Sequence, residues 1–265
     1  MTQWNPQDYH QHSSQQQQWA REQLSRLALR GNEAVLDIGC GDGKITAQIA
    51  RAVTRGQAVG IDTSADMITF AQRVFPASIF PNLRFQLGDA QTLDFNAEFD
   101  CVVSFACLHW VSDHSPVLAG IVRSLRPGGR TMLQFGGKGN AAKMLEAVME
   151  ITQRPKWADY FVGALLPWGF YSPEQYRPWL AEAGLQATRV ELVPKDMVHH
   201  GPNGLAAWLR TTWMPVVQRV PVELQQEFLG EVVVKYLKTH PADASGMVHL
   251  NMMRMEVEAV KAATA

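Results

Sequence analysis

Short apolar runs alternate with amphipathic stretches along the first half of the chain. The apolar runs lie at residues 34–38, 58–62, 83–87, 99–105 and 130–135. Each is short, and the run at 34–38 ends in glycines, which is typical of buried strands. Between the runs, apolar residues recur at helical spacing, as in Ile45, Ile49 and Val53. The alternation of strands and helices favours an α/β fold with a doubly wound, mostly parallel sheet.

Helical patterns dominate after Gly139. A capping box at 172–175 predicts a helix that ends at Gly184, and Asn203 is the predicted cap of a later helix. Residues 187–193 and 248–260 are rich in β-forming side chains and complete a predicted seven-stranded sheet. The second half therefore predicts two further strands and a set of helices that caps the sheet.

The N-terminus predicts a short arm followed by a helix. Pro6 indicates that residues 4–6 are extended, because the residue before a proline disfavours helical geometry. A helix is expected from about Ser14 to Leu29. No linker or repeat divides the chain, so we expect one domain with an arm and helix at 1–30, a core at 31–139 and a C-terminal part with a helical cap at 140–265.

Composition narrows the function classes. Lys and Arg total 24, Asp and Glu total 25, and the net charge is −1. A nucleic-acid partner usually requires a basic excess, so a small-molecule substrate is favoured. The polar first residues and the lack of an apolar run of about 20 residues predict no signal peptide, no membrane span and a cytoplasmic location. A monomer and a homodimer both stay open.

The sequence also argues against disulfides and metals. Cys40, Cys101 and Cys107 fit neither a disulfide framework nor a CxxC metal site, and they indicate a reducing compartment. The adjacent pair His199 and His200 would point to opposite faces of a strand. We therefore expect no metal.

A glycine-rich loop follows the first predicted strand. Glycines at 39, 41 and 43 allow a tight turn and let a ligand lie against bare backbone. The helix that follows presents unpaired N–H groups, which favour an anionic ligand group such as a pyrophosphate or an amino-acid carboxylate. The loop predicts a nucleotide-type cofactor, with a plain strand–helix turn as the alternative.

The spacing of the glycines and two acidic residues bear on the choice between the candidate cofactors. The spacing G-x-G-x-G differs from the G-x-G-x-x-G of dinucleotide sites. Asp37 would repel a pyrophosphate and suits the ammonium of an amino-acid moiety. Asp62 ends the second strand and can hold ribose hydroxyls, which NAD and S-adenosylmethionine (SAM) share, or it can simply cap the next helix. Asp37 therefore favours SAM over NAD.

Polar residues also follow the third and fourth strands. Asp89 can accept a hydrogen bond from an adenine amino group, with a turn role as the alternative. Ser104 and the pair His109-Trp110 come at or after the end of the fourth strand. Ligands of open α/β sheets bind at the carboxyl ends of the strands. These residues are therefore expected in one site.

Taken together, these motifs resemble the ordered motif set of class I SAM-dependent methyltransferases. The segments that carry the resemblance are 35–43, 59–62, 88–90, 108–110 and 125–129. They span about residues 34 to 135. The resemblance implies a Rossmann-like methyltransferase fold, SAM as cofactor and S-adenosylhomocysteine (SAH) as product.

The resemblance also implies roles for individual residues. The predicted cofactor-binding residues are Gln16, Asp37, Gly39, Cys40, Gly41, Asp62, Thr63, Met67, Asp89, Ala90, Ser104 and His109. Within this set, 39–41 would contact the methionine part of SAM, and Asp62, Thr63 and Met67 would hold ribose and adenine. Asp89 and Ala90 would hold the adenine edge, and Ser104 would offer its backbone. The predicted catalytic residues, where cofactor and substrate meet, are Gln16, His109 and Trp110.

Segments outside the core resemble two groups that methylate carboxylates of small organic acids. Residues Trp4 to Gln16 resemble the N-terminus of trans-aconitate methyltransferases, and their Tyr…Gln part also resembles juvenile hormone acid methyltransferases. Residues 208–213 resemble the cap helix of the trans-aconitate group. The resemblance implies a carboxylate acceptor. The predicted substrate-binding residues are Tyr9, Trp110, Tyr171, His200, Arg210 and Trp213.

The chemical group that accepts the methyl determines whether the enzyme needs a general base. A carboxylate is ionised at neutral pH, whereas a hydroxyl or amine benefits from a base, for which His109 is the candidate. Packing against Trp110 is the simpler role for His109. Arg210 can clamp a carboxylate, although a solvated helix face is commoner for arginine. The alternatives are an O- or N-methyltransferase of a hydroxyl or amine, an NAD-type oxidoreductase, and a non-catalytic SAM-binding protein.

Overall fold

A computed structural model describes residues 6–12, 14–164 and 168–263. The strands are β1 (Ala34–Ile38), β2 (Gln57–Asp62), β3 (Leu83–Leu87), β4 (Phe99–Phe105), β5 (Leu125–Gly136), β6 (Leu185–His200) and β7 (Met247–Lys261). The helices are α1 (Pro6–His12), α2 (Ser14–Leu27), α3 (Lys44–Ala52), α4 (Ala65–Val74), α5 (Ser115–Ser124), α6 (Ala142–Thr152), α7 (Pro173–Glu182), α8 (Gly201–Thr212), α9 (Met214–Val217) and α10 (Gln225–Leu237).

The strands form one seven-stranded sheet in the order β3-β2-β1-β4-β5-β7-β6. β1 pairs in parallel with both β2 and β4, so the chain reverses its direction of winding between β1 and β4. β7 runs antiparallel to β5, with Val257 opposite Leu133. The predicted doubly wound, mostly parallel α/β sheet is confirmed. Its switch point lies at the carboxyl ends of β1 and β4, where ligands of such sheets bind.

Apolar layers cover both faces of the sheet. Leu36 of β1 packs in a cluster with Leu118 of α5, whereas its neighbour Val35 packs in another with Ile49 of α3. Successive residues of a strand point to opposite faces, so burial on both faces explains why β1 reads as a continuous apolar run.

The chain divides into two compact units. One contains residues 6–12, 14–138, 168–193 and 254–263, and it carries β1 to β5 and both apolar layers. The other contains residues 139–164 and 194–253, with α6, α8, α9 and α10. Its core includes Trp157, whose ring meets that of Phe228 edge-on at 5.3 Å. In the described ranges, the helices are all too short or too polar to cross a bilayer.

Three local predictions were wrong. Residues from Pro6 form α1 rather than an extended arm, because proline also suits the first turn of a helix. α8 begins at Gly201 and not at a cap on Asn203, since Pro202 occupies its first turn. β6 extends from Leu185 to His200, well beyond the predicted 187–193, and its continuation buries Met197 and His199, two residues apart on one face of the strand.

Candidate cofactor and acceptor site

The glycine loop is a close-packed turn at the end of β1. Gly39 and Cys40 both donate their backbone N–H to the carbonyl of Ile61, at 2.8 and 2.9 Å. Gly39 has φ +73°, and a Cβ placed on it would lie 2.2 Å from the Sγ of Cys107. Gly41 has φ +53°, and a Cβ placed on it would make an ordinary contact with the Cε1 of Tyr9, at 3.8 Å. The loop therefore needs glycine for packing at one position and leaves bare backbone at another.

An open pocket lies against this loop. The predicted site residues that line it are Tyr9, Asp37, Gly39, Cys40 and Gly41. Lining residues that the sequence did not single out include Gln17, Asp42, Lys44, Phe105 and Ala106. Residues of α2 and α3 reach the pocket because these helices pack beside the loop, a proximity for which the sequence gives no local signal.

Asp37 is a buried carboxyl group in the pocket lining. Only 2% of its surface is exposed, and its Oδ2 accepts a hydrogen bond of 2.7 Å from the hydroxyl of Thr46. Burial is the main cause that raises the pKa of Asp37 to about 7; the nearby carboxylates of Asp62 and Asp42 add to the rise, and the hydrogen bond from Thr46 opposes it. A cation at this point would stabilise the ionised form of Asp37.

Asp62 joins the glycine loop to α4. Its Oδ2 accepts from the backbone N–H of Gly41 at 3.0 Å, and its Oδ1 accepts from Ser64 at 2.9 Å. Burial raises the pKa of Asp62, and these backbone hydrogen bonds oppose the rise. Each carboxylate oxygen can accept more than one hydrogen bond, so Asp62 serves the turn and keeps acceptor capacity.

The other predicted adenosine residues follow β2 and β3. Thr63 is exposed and Met67 is buried on α4. The Oδ1 of Asp89 accepts from the backbone N–H of Gln91 at 2.9 Å, while Ala90 is buried. Asp89 therefore fills the turn role that the sequence left as its alternative, and its second oxygen adds acceptor capacity.

The end of β4 combines a buried hydroxyl with a strained residue. The hydroxyl of Ser104 donates to the carbonyl of Ile38 at 2.8 Å and so ties β4 to β1. Ala106 has φ +55°, which is unusual for a residue with a side chain. Its N–H donates to the carbonyl of Gln134 at 2.7 Å. Strain of this kind clusters at functional sites.

Helix α1 lies against the glycine loop. The Nδ1 of His10 lies 2.8 Å from the Oδ2 of Asp42, and the Nζ of Lys44 lies 3.3 Å from the same oxygen. Lys44 also donates to the carbonyl of His10. Burial raises the pKa of Tyr9, so its phenol stays protonated. These contacts place Tyr9 in the pocket wall.

Part of the N-terminal prediction falls outside the described residues. Trp4, Asn5 and Ser13 lie outside them, and so does the side chain of Gln16. Gln17, its neighbour on α2, lines the pocket instead. The predicted role of Gln16 therefore stays a prediction.

An aromatic cluster follows the end of β4. The ring of Trp110 lies 5.2 Å from that of His109 and 5.7 Å from that of Trp168. Trp168 in turn stacks on Phe170 at 6.0 Å with an interplanar angle of 3°. The backbone N–H of Gly169 donates to the carbonyl of His109 at 2.9 Å and so fixes the segment. His109 and Trp110 are thus part of one aromatic surface.

His109 carries a neutral ring. Its Nδ1 lies 3.5 Å from the backbone N–H of Gly136, which can only donate. Burial lowers the pKa of His109 well below its usual value, and the positive charge of Arg254 lowers it further. The neutral ring therefore carries its proton on Nε2, where it can donate a hydrogen bond.

The remaining predicted substrate residues are not among those that line the pocket. The hydroxyl of Tyr171 donates to the carbonyl of Ser112 at 2.6 Å, and its ring packs on His114. His200, Arg210 and Trp213 belong to the unit of residues 139–164 and 194–253. There His200 and Arg210 are exposed, whereas Trp213 is buried with its ring 5.9 Å from that of Trp208.

The site residues fit the SAM that the motifs imply. Asp37 supplies a buried anion for an ammonium group, which would conflict with a pyrophosphate. Gly41 leaves the space that a Cβ would take, so a ligand can approach the backbone. Asp62 stands at the end of β2, the strand next to β1, where a ribose is held in sheets of this kind.

Comparisons with known proteins show which family the chain resembles. A family model described as a methyltransferase domain matches residues 35–129. An uncharacterized methyltransferase of Schizosaccharomyces pombe is 30% identical over 213 residues, which cover 78% of this chain and 79% of that protein. A trans-aconitate 2-methyltransferase of Variovorax paradoxus is 29% identical over 274 residues, 99% of this chain and 100% of that protein.

Solved structures show the same fold. The YcgJ protein from Bacillus subtilis superposes with a TM-score of 0.62 at 16% identity, covering 96% of this chain and 100% of that one. The glycine loop, the acidic residues around it and these similarities lead to one conclusion. The chain belongs to the class I SAM-dependent methyltransferases and is similar to their trans-aconitate group.

Proposed function

We propose that this enzyme transfers the methyl group of SAM to a carboxylate oxygen of a small organic acid. The similarity to trans-aconitate 2-methyltransferases extends over nearly the whole chain and supports an acid as acceptor. The observation that carries the proposal is the state of His109. Its ring is neutral, its Nδ1 is turned to a backbone N–H, and its pKa is lowered.

A neutral His109 of low pKa is a poor base at neutral pH. An acceptor hydroxyl or amine has to lose a proton, and a base near neutral pKa speeds that step. A carboxylate is already ionised and loses no proton. When bound, SAM supplies an electrophilic methyl group, and the C–O bond forms as the C–S bond breaks with its electron pair left on sulfur. The chain therefore has to orient the reactants and needs no base.

We assign residues at the carboxyl edge of the sheet, in the pocket lining and beside it, to this task. Asp37 binds the ammonium of the cofactor by charge, and Asp62 accepts from its ribose. The bare backbone at Gly41 allows close approach. The Nε2 proton of His109 orients an acceptor oxygen, and the ring of Trp110 excludes water beside it. Each role follows from a polar atom or a surface at the carboxyl edge of the sheet.

A labelled-methyl assay tests the proposal. The enzyme is incubated with methyl-labelled SAM and a panel of carboxylic acids, phenols, alcohols and amines. Mild alkali then hydrolyses methyl esters to volatile methanol, whereas methyl ethers and N-methyl amines survive. We expect label only with acids, and we expect alkali to release it. The variant Asp62→Ala serves as the control for cofactor-dependent transfer.

Other outcomes would replace the proposal. Alkali-stable label on a phenol, alcohol or amine would identify an O- or N-methyltransferase of another acceptor class. In that case His109→Gln should cost much of the turnover at neutral pH. With a carboxylate acceptor, Gln can still donate a hydrogen bond, and we expect turnover to fall less than about tenfold.

A further inference from the structure

Arg254 is a buried cation at the carboxyl end of β5. It lies on β7 opposite Gly136, the residue whose N–H meets His109. Only 3% of its surface is exposed. Its Nε and Nη2 atoms are buried, and no described residue accepts a hydrogen bond from either. A guanidinium normally uses such donors for a carboxylate or phosphate.

Neighbouring carboxylates are already engaged with other arginines. Glu256 lies 2.7 Å from the guanidinium of Arg189, and its other oxygen accepts from Gln134 at 3.1 Å. Glu258 lies 2.6 Å from Arg26. These contacts leave the donors of Arg254 without an anion of their own among the described residues.

Arg254 lies within electrostatic reach of the site. Its guanidinium lies over the ring of Trp19, 5.6 Å from the centroid, and Trp19 precedes the pocket residue Ala20 on α2. Its positive charge opposes the rise in the pKa of Tyr9 and adds to the lowering of the pKa of His109. Tyr9 lines the pocket, and His109 is the proposed donor to the acceptor. The charge therefore lies close to where the acceptor is expected.

The charge of Arg254 is balanced in part by Glu256 and the ring of Trp19, yet two of its buried donors lack an acceptor among the described residues, which is costly for a protein to keep. Burial lowers the pKa of Arg254 to about 10, so the group remains charged at neutral pH. Removal of the charge would relieve this cost if Arg254 had only a structural role. A ligand anion that accepts hydrogen bonds from Nε and Nη2 would offset the cost of burying the charge.

The geometry points to Arg254 as the residue that binds an anionic carboxylate of the acceptor, separate from the carboxylate that receives the methyl group. This inference rests on the proposed function. A guanidinium that held the reacting carboxylate through both oxygens would withdraw the electron pair needed for attack. Arg254 therefore anchors one carboxylate, and the acceptor is an acid with at least two.

The test compares three variants of the full-length enzyme with bound SAH. Arg254→Met removes the charge and keeps a long, unbranched side chain. Arg254→Lys keeps the charge and loses the planar guanidinium, which can donate two parallel hydrogen bonds to a carboxylate. Arg26→Gln is the matched control, because Arg26 belongs to the same cluster but is paired with Glu258. Calorimetry measures binding of trans-aconitate, a tricarboxylic acid, and of crotonate, which has one carboxylate. Thermal unfolding is followed in parallel.

We expect Arg254→Met to weaken trans-aconitate binding about 10- to 100-fold, with Arg254→Lys in between and Arg26→Gln unchanged. KM for the acid should rise more than kcat falls. Crotonate should bind weakly to the wild type, and Arg254→Met should change that binding little. The unfolding temperature of Arg254→Met should stay the same or rise, since an unpaired buried charge is removed.

Unchanged trans-aconitate binding by Arg254→Met, with methyl transfer to the acid intact, would overturn the role of Arg254 and leave the proposed function standing. A lower unfolding temperature without loss of affinity would do the same and assign a structural role. If binding depends on Arg254 but alkali-stable product forms, the proposed function fails and the anchoring role survives. A wild-type enzyme that binds no acid overturns both.

Discussion

At the scale of single residues, Asp37 has the most sharply defined chemistry. Its carboxyl group is buried, accepts a hydrogen bond from Thr46 and has its pKa raised to about 7. An ammonium ligand needs the ionised form, so binding draws a proton off the group wherever it is still protonated. Cofactor affinity is therefore linked to pH through this residue.

SAH affinity should rise from about pH 5.5 to about pH 7 and level off above that range. Below the raised pKa, each unit of pH changes the affinity by roughly tenfold at most, because binding must first release the proton from Asp37. Asp37→Asn should bind SAH more weakly at about pH 8 and lose this pH dependence. Calorimetry of both proteins across the range checks the prediction. The same pH dependence of SAH affinity in the wild type and in Asp37→Asn would contradict it.

Gly39 offers a second prediction, on stability. Gly39→Ala meets both a left-handed backbone and the Sγ of Cys107, whereas Gly128 has nearly the same φ, +74°, and open space. Backbone strain should lower the free energy of unfolding of each alanine variant by about 1–2 kcal/mol. Steric overlap of the new Cβ with Cys107 should lower it further, by about 1–3 kcal/mol, in Gly39→Ala alone. Urea denaturation measures both, and equal losses would show that the loop relaxes around the added methyl.

Sequence motifs pointed to some of the residues that line the pocket, whereas residues that only proximity brings there had no motif. Gly39, Gly41 and Asp37 stand in a recognisable spacing, and they line the pocket. Arg254 is surrounded by β-forming residues and has no motif. Its one sequence signal is the alternation of charges at 254, 256 and 258, which places them on one face of a strand. That two buried donors of Arg254 lack an acceptor among the described residues is apparent only from the three-dimensional structure.

At the scale of elements, α1 and the glycine loop form one structural feature. A single residue separates α1 from α2 in the chain. α1 is nevertheless held against the glycine loop, because His10 contacts Asp42, which also pairs with Lys44. Its residue Tyr9 lines the cofactor pocket. A helix held by a few polar contacts opens more readily than a core element, so its opening is expected to limit ligand release.

His10→Phe should accelerate SAH release. The variant keeps the ring that packs on Phe70 at 5.2 Å and loses the contact with Asp42. A lost hydrogen bond of about 1 kcal/mol corresponds to release about five times faster. Arg21→Met is the control, because it removes an exposed bond to Gln48 between α2 and α3. Stopped-flow fluorescence compares the rates, and equal rates for both variants would separate α1 from ligand release.

β1 to β4 were predictable to within a residue because burial on both faces gives continuous apolar runs. β5 begins at Leu125 rather than at the predicted residue 130, so residues 126–129 belong to the strand. The N-terminal helix was not predictable. Pro6 permits both an extended arm and a first helical turn, and the choice is made by tertiary contacts to Asp42 and Lys44. Local pattern alone cannot contain that information.

At the scale of the whole molecule, the cofactor pocket belongs to one compact unit. All of its lining residues lie between Tyr9 and Ala106, in the unit that holds β1 to β5. The predicted substrate residues His200, Arg210 and Trp213 belong to the other unit. Their role in acceptor recognition remains a prediction from resemblance, since motifs common to methyltransferases do not specify the acceptor.

Ligand-linked stability distinguishes the cofactor at this scale. SAH at about 100 times its Kd should stabilise the native protein by roughly 2.7 kcal/mol, because it binds the folded state only. NADH should leave the unfolding temperature unchanged, since Asp37 opposes a pyrophosphate beside the loop. Differential scanning calorimetry with each ligand makes the comparison. Stabilisation by NADH alone would contradict the assignment of the pocket.

The most direct test of the account is the chemical position of the transferred methyl group. Enzyme, ¹³C-methyl-labelled SAM and trans-aconitate are incubated together, and the product is followed by ¹³C NMR before and after mild alkali. The account predicts one new methyl ester signal that alkali converts to the signal of methanol. A labelled methyl group on carbon, nitrogen or an ether oxygen, stable to alkali, would contradict it.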